Sequence, residues 1–152
     1  MRKNVWCSLS VFLKKWKKYP PCPPLTAGKK EIGTYGENYV SIYLEKQGYT
    51  IRDRNLRLHR HELDLVAQKG NLIIFCEVKT RFYAEGWLEH YGRPASGLKP
   101  RQIENIRSAA ASYVKRTHGE FKYRFDLAEV YLRQTDSAYE VEKIHYIENA
   151  FR

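Results

Sequence analysis

The chain is poor in cysteine, and the few it has are not arranged to bridge or to bind. Cys7, Cys22 and Cys76 are its only thiols, an odd count with no CxxC pair. That argues against a disulfide framework and a structural zinc site, and fits a reducing, cytoplasmic compartment. Long apolar runs are also missing. None approaches the ~18 residues needed to span a bilayer, so a soluble protein is expected. No internal repeat is visible. The apolar N-terminal stretch is broken by serines, is followed by basic residues and lacks a small-x-small cleavage site, which makes a signal peptide a poor reading. Acidic residues are absent from the first thirty positions, which carry Arg2, Lys3, Lys14, Lys15, Lys17, Lys18, Lys29 and Lys30.

With 152 residues and 43% hydrophobic content, the composition is that of one folded domain able to bury a core without disulfides or metal. The net charge of +10 suggests a polyanionic partner, but most of it lies in the tail. Eight of the 27 basic residues fall in residues 1–30, leaving 19 against 17 acids in residues 31–152, or +2. Total charge therefore places no basic patch on the globular part.

Residues 1–30 read as a basic amphipathic tail and linker. Val5, Trp6, Leu9, Leu13 and Trp16 have near-helical spacing over residues 1–19, and Pro20, Pro21, Pro23 and Pro24 then form a stiff, extended stretch. A passive extension is the plain reading; an interfacial membrane anchor or a nucleic-acid arm are the sharper ones. From residue 31 the pattern becomes regular. Thr34 can cap a helix lined by Val40, Tyr43 and Leu44 and stopped by Gly48. Residues 49–56 look like a strand, and the apolar runs 62–67 (ELDLVA) and 72–78 (LIIFCEV) form a hairpin around 68–71 (QKGN). Residues 82–98 lack periodicity, and a loop of that length is more often functional than idle. A second helix runs from Pro100 to about His118, with Ile103, Ile106, Ala110, Tyr113 and Val114 as its buried stripe. Strands at 123–132 and 139–147 follow, turning at 134–138. The fold class is α/β, a mixed central sheet flanked by helices in the order α-β-β-β-α-β-β.

The hairpin carries the chemistry. With Lys69 and Gly70 at its tip, Asp64 lies opposite Phe75 and Glu62 opposite Glu77. Side chains alternate along a strand, so Asp64, Glu62, Glu77 and Lys79 share a face. Only a slip by one residue would separate them. Carboxylates rarely sit inside apolar runs unless paired or metal-bound. Mg²⁺ (or Mn²⁺) takes one or two such groups together with water and phosphate oxygens. Glu37, at i−3 from Val40 and i−7 from Leu44, points inward and could add a ligand or a general base. Lys79 could orient water or neutralise charge on a phosphate. The bland alternative is a set of ion pairs, Glu77 with Lys79 and Asp64 with Arg57 or Arg60. His59 and His61 form an HxH pair for which no third metal ligand is evident. Cys76 alternates away from Glu77 into the core.

Gly33-x-x-Gly36-Glu37, Tyr43-Leu44-x-x-x-Gly48-Tyr49, Arg54-Asn55, Glu62-Leu63-Asp64-Leu65, Phe75-x-Glu77-Val78-Lys79-Thr80-Arg81, Arg124-Phe125-Asp126 and His145-x-x-x-Asn149-Ala150-Phe151 occur in that order. Together they resemble the bacterial YraN-like family, which is related by prediction to archaeal Holliday junction resolvases in the PD-(D/E)xK nuclease superfamily. The match covers about residues 31–152. It implies a restriction-endonuclease-like fold, metal ligation by Asp64, Glu77 and Glu37, and a catalytic role for Lys79 with those carboxylates. Arg81, Gln102 and His61 are the candidate substrate contacts. The chain departs from the family pattern twice: His61 stands where glycine usually precedes the Glu-x-Asp motif, and Gln102 where lysine is frequent.

The expected activity is Mg²⁺- or Mn²⁺-dependent endonucleolytic hydrolysis of DNA, with branched or otherwise irregular structures as substrates. Its rivals are a catalytically silent nucleic-acid-binding or adaptor protein on the same fold and a membrane-surface protein held by residues 1–19. Nucleic acid, DNA first, is the expected partner, and a homodimer is among the expected assemblies.

Overall fold

The computed structural model describes residues 4–8, 19–83 and 97–152 of the chain. Its elements run β1 (Asn4–Ser8), α1 (Lys29–Lys46), β2 (Thr50–Leu58), β3 (His61–Lys69), β4 (Leu72–Phe82), α2 (Pro100–Val114), β5 (Lys122–Gln134) and β6 (Tyr139–Phe151). The expected α-β-β-β-α-β-β order is observed, with one further strand in front of it. The strands form a single mixed sheet in the order β1-β6-β5-β4-β3-β2. All neighbours are antiparallel except the central β4 and β5, which run parallel and are joined through α2. The most apolar segments become these central strands because both of their faces are covered.

The two faces hold separate cores. Ile32, Tyr39, Val40 and Leu44 of α1 pack on Cys76, Val78, Ala128 and Val130. Ile106, Ala109, Ala110 and Tyr113 of α2 pack on Ile73, Phe75, Leu127 and Ile147. Each fully buried large aliphatic or aromatic side chain contributes about 1.5–3 kcal/mol, so the alternation along β4 fixes which residues face which helix. The Arg124 and Asp126 motif is a staple in this frame. Buried Asp126 receives Arg124 at 2.8 and 2.7 Å, the Tyr146 hydroxyl at 2.6 Å and the Asn149 N–H at 2.9 Å. These bonds tie the start of β5 to the end of β6.

Three expectations are corrected. Residues 4–8 are not helical; they pair with β6 from Asn4↔Ile147 to Ser8↔Lys143. The outer edge of β6 offers unpaired backbone groups, and Val and Trp suit a strand as well as a helix. The remainder of the expected N-terminal helix, residues 1–3 and 9–18, lies outside the described residues, as do residues 84–96 of the long loop. Helix α1 begins at Lys29 with Gly28 as its N-cap, so Thr34 lies inside the helix instead of capping it. Buried Ile32 and Tyr35 anchor the added turn. The hairpin tip is Gly70-Asn71, with Lys69↔Leu72 as its last pair, not Lys69-Gly70. Gly70 has φ +58°, the conformation that the first central residue of a II′ turn requires.

The proline segment packs against the domain. Tyr19 stacks on Tyr39 with ring centroids 4.4 Å apart, and the Pro23 carbonyl accepts the Tyr139 N–H at 2.9 Å. No helix among the described residues is long and apolar enough to cross a membrane.

Candidate active site

The corrected register moves the partners across the hairpin by two positions, which keeps Asp64, Glu77 and Lys79 on one face. The expectation that Glu62 joins them is corrected: Leu56 and Leu63 pair and pack in the α2 core, which turns the neighbouring Arg57–Glu62 pair to the opposite face. The β3–β4 ladder runs from Lys69↔Leu72 to Leu65↔Cys76. Beyond that pair the Val78 N–H donates to the Asp64 side chain, Oδ2, at 2.8 Å. A carboxylate thus takes the place of a backbone acceptor. The alternation of β3 also breaks here: Leu65 and Ala67 join the α1 core, whereas Leu63 and Val66 join the α2 core. On the adjoining strand Asn55 is held at φ +47°, between the pairs Arg54↔Leu65 and Leu56↔Leu63. Irregular strand geometry of this kind re-aims a side chain.

Glu77 is buried, and its Oε1 accepts Lys79 Nζ at 2.7 Å and Gln102 Nε2 at 2.6 Å. Lys79 stands two residues along the same strand and therefore on the same face. Gln102 reaches in from the first turn of α2, where Pro100 occupies the opening position of the helix. Glu37 approaches from α1. Gly36 makes that approach possible, because a Cβ at this position would collide with Thr80 Oγ1.

The electrostatics bind these groups into one cluster. Burial and the negative charge of Glu77 push the Asp64 carboxyl up to about 7, with Glu37 adding to the rise; the Val78 N–H and Lys79 oppose it. Glu37 is also raised, first by burial, then by Glu62 and Glu77, while a hydrogen bond from Asn55 pulls it down. The ion-pair alternative holds for Glu77 and Lys79 but not for Asp64. Arg57 lies 3.5 Å from Glu62 in an exposed pair, and among the described residues the hydrogen-bond partner of Asp64 is the Val78 amide.

Asp64, Glu77, Lys79 and Gln102 are therefore brought together, with Glu37 inside the same field of charge. Arg81 lies further along β4 and pairs with Glu129 at 3.3 Å. His61 opens β3 opposite Leu58, and no hydrogen bond or ion pair among the described residues joins it to the cluster. Among those residues, no three His, Cys, Asp or Glu side chains are grouped to hold a metal ion by themselves. The donor set suits a hard cation completed by water and phosphate oxygens, since two neighbouring carboxylates repel and one of them is buried.

Asn55 and Glu129 were not singled out by sequence reasoning. A signal for Glu129 existed: it is an acid inside the apolar run 127–132 (LAEVYL), the same anomaly that marks Glu77. Asn55 carried only its place beside Arg54.

The profile of the family described as Uncharacterised protein family UPF0102 matches residues 36–130, a span that contains the whole cluster. The chain belongs to this family. UPF0102 proteins of Clostridium botulinum, Clostridium acetobutylicum and Alkaliphilus metalliredigens are 38%, 36% and 36% identical to it. The alignments cover 81%, 81% and 80% of this chain and 95%, 95% and 98% of those relatives. UPF0102 membership bears out the YraN-like resemblance read from the spaced motifs.

Proposed function

We propose that the chain is a divalent-metal-dependent nuclease of the PD-(D/E)xK type that hydrolyses phosphodiester bonds in DNA, with branched or irregular structures as preferred substrates. The observation that carries the reading is the proximity of the Asp64 and Glu77 carboxylates, with Lys79 bonded to that same Glu77. Surface ion pairs account for neither the raised Asp64 nor its amide partner.

In this reading Asp64 and Glu77 would hold Mg²⁺ or Mn²⁺. Lys79 and Gln102 both donate to Oε1 of Glu77 and so fix the carboxylate that would serve as a ligand. The bound cation supplies Lewis acidity toward a phosphate oxygen and toward water. The Val78 amide fixes the Asp64 carboxylate in the cluster. Lys79 neutralises charge that develops on a non-bridging phosphate oxygen. Glu37, with its raised affinity for a proton, accepts one from the attacking water, whose oxygen bonds to phosphorus as the bond to the leaving oxygen breaks. The departing alkoxide takes its proton from solvent.

The test is a cleavage screen over duplex, single-stranded, flap and four-way DNA in Mn²⁺. Cleavage by the wild type that Asp64→Asn and Lys79→Ala abolish is the expected result. DNA binding without cleavage on every substrate would instead identify a silent binding protein, and absence of both would remove nucleic acid from the reading.

A further inference from the structure

A second polar group, centred on a buried carboxylate, lies beside this cluster. In the sheet register, Glu129 of β5 stands between Lys79 of β4 and His145 of β6. Glu129 is 3% exposed, Tyr131 4% and His145 0%. Glu129 Oε2 accepts the Tyr131 hydroxyl at 3.1 Å and lies 3.5 Å from His145 Nδ1. Its other oxygen, Oε1, meets Arg81 Nε at 3.3 Å. A carboxylate withdrawn from water this completely is costly unless partners compensate it, and the Tyr131 hydroxyl and the Arg81 cation are supplied here.

Arg81 differs from the other members because its side chain remains 31% exposed. Its Nε is the atom that meets Glu129 Oε1. Gly97, where the described chain resumes after the long loop, lies against Nη2, and a Cβ there would collide with it. The guanidinium is therefore gripped from behind and flanked by bare backbone. Glu77, Lys79 and Arg81 alternate onto one face of β4. Same-face neighbours are spaced by about 6.6 Å, comparable to the separation of adjacent phosphates on a nucleic-acid strand.

We propose that Arg81 binds the phosphate next to the scissile one and that Glu129 is the positioning residue that orients its guanidinium, with Tyr131 and His145 fixing Glu129 in turn. Arginine suits the task because its planar fork meets two phosphate oxygens at once, and this side chain keeps 31% of its surface open while Glu129 meets it at Nε. The inference rests on the nuclease reading for its substrate but needs no chemical step.

The experiment is fluorescence anisotropy with labelled duplex and four-way DNA in EDTA, over a series of KCl concentrations, with thermal melting of each variant. Arg81→Gln combined with Glu129→Gln removes the cation without stranding a buried charge. It should lower the slope of log K against log salt by about 0.9, the loss of one phosphate contact. Glu129→Gln alone should keep the slope, because the charge count on Arg81 is unchanged, and weaken binding by about five-fold through lost orientation. Arg81→Lys should behave like Glu129→Gln and decides the matter if that variant does not fold. Wild-type slope and affinity in the double variant and in Arg81→Lys, with only the melting temperature altered, would overturn the proposal and leave a structural ion pair. If the wild type binds no DNA, this proposal and the nuclease reading fall together. If it binds and cleaves with Arg81 immaterial, only this one falls.

Discussion

The Val78 N–H donates to Asp64 Oδ2 at 2.8 Å where the β3–β4 ladder has ended at Leu65↔Cys76. A side chain thus continues a backbone ladder where the two strands no longer pair. The bond favours ionised Asp64, yet burial and the nearby Glu77 outweigh it and hold the carboxyl at about 7. The cluster therefore stores unfavourable charge that a cation would relieve.

The stored charge has a pH signature in EDTA. Folding raises Asp64 from its ordinary 3.8 to about 7, so the folded state binds the proton more tightly than the unfolded state. Stability then falls as pH rises from about 4 to about 7, the reverse of a salt-bridged aspartate. Asp64→Asn should flatten the melting temperature over that window. A wild-type profile that stays level or rises there would contradict the assigned environment.

Relief of the same charge should appear as metal affinity. Calorimetry with Mn²⁺ is expected to give binding that Asp64→Asn and Glu77→Gln each weaken by about ten-fold or more. Undiminished binding in both variants would falsify the assignment of these carboxylates as ligands.

Lys79 is assigned to the chemical step, so Lys79→Ala should retain DNA and Mn²⁺ binding while cleavage falls by ~10² or more. Equal cleavage by mutant and wild type would end that role. Loss of folding would return Lys79 to a structural partner of Glu77.

Gly36 sets how closely α1 approaches β4. Gly36→Ala should destabilise by about 1–3 kcal/mol through overpacking against Thr80, and Thr80→Ala in the same chain should recover part of the loss. Denaturant unfolding of the single and double variants measures this directly. Additive effects would mean that the two residues do not meet.

The shared face of Asp64, Glu77 and Lys79 was legible because strand alternation has period two. The expected hairpin tip was displaced, yet the pairing moved by two positions, which leaves these three on one face; Glu62 was expected there too and turns away past the break in β3. The inward aspect of Glu37 followed from helical spacing alone. Strand β1 was not legible, since Val5 and Trp6 fit either periodicity and the choice is made by the edge of β6, distant in sequence. The grip of Gln102 on Glu77 depends on where α2 docks, which no local pattern encodes. The Glu129 network needed three strands to be aligned before its members became neighbours.

The N-terminal tail can be tested with a boundary that the structure supplies. Removing residues 1–30 would cut into α1 and discard the Tyr19–Tyr39 stack and the Pro23 bond to Tyr139, so lost function could be lost folding. Removing residues 1–18 spares all three and deletes Arg2, Lys3, Lys14, Lys15, Lys17 and Lys18. If these bases touch phosphates, the truncated protein should bind DNA more weakly and with a shallower salt dependence, because fewer counterions are released. Cleavage at saturating protein should persist, since no assigned catalytic group lies in the tail. The deletion also takes away β1 and bares the edge of β6, so stronger self-association in sedimentation is expected alongside. An unchanged salt slope together with increased self-association would make residues 4–8 an edge cover and the tail no nucleic-acid arm. Sedimentation with anionic vesicles, with and without residues 1–18, then separates a membrane anchor from a passive extension.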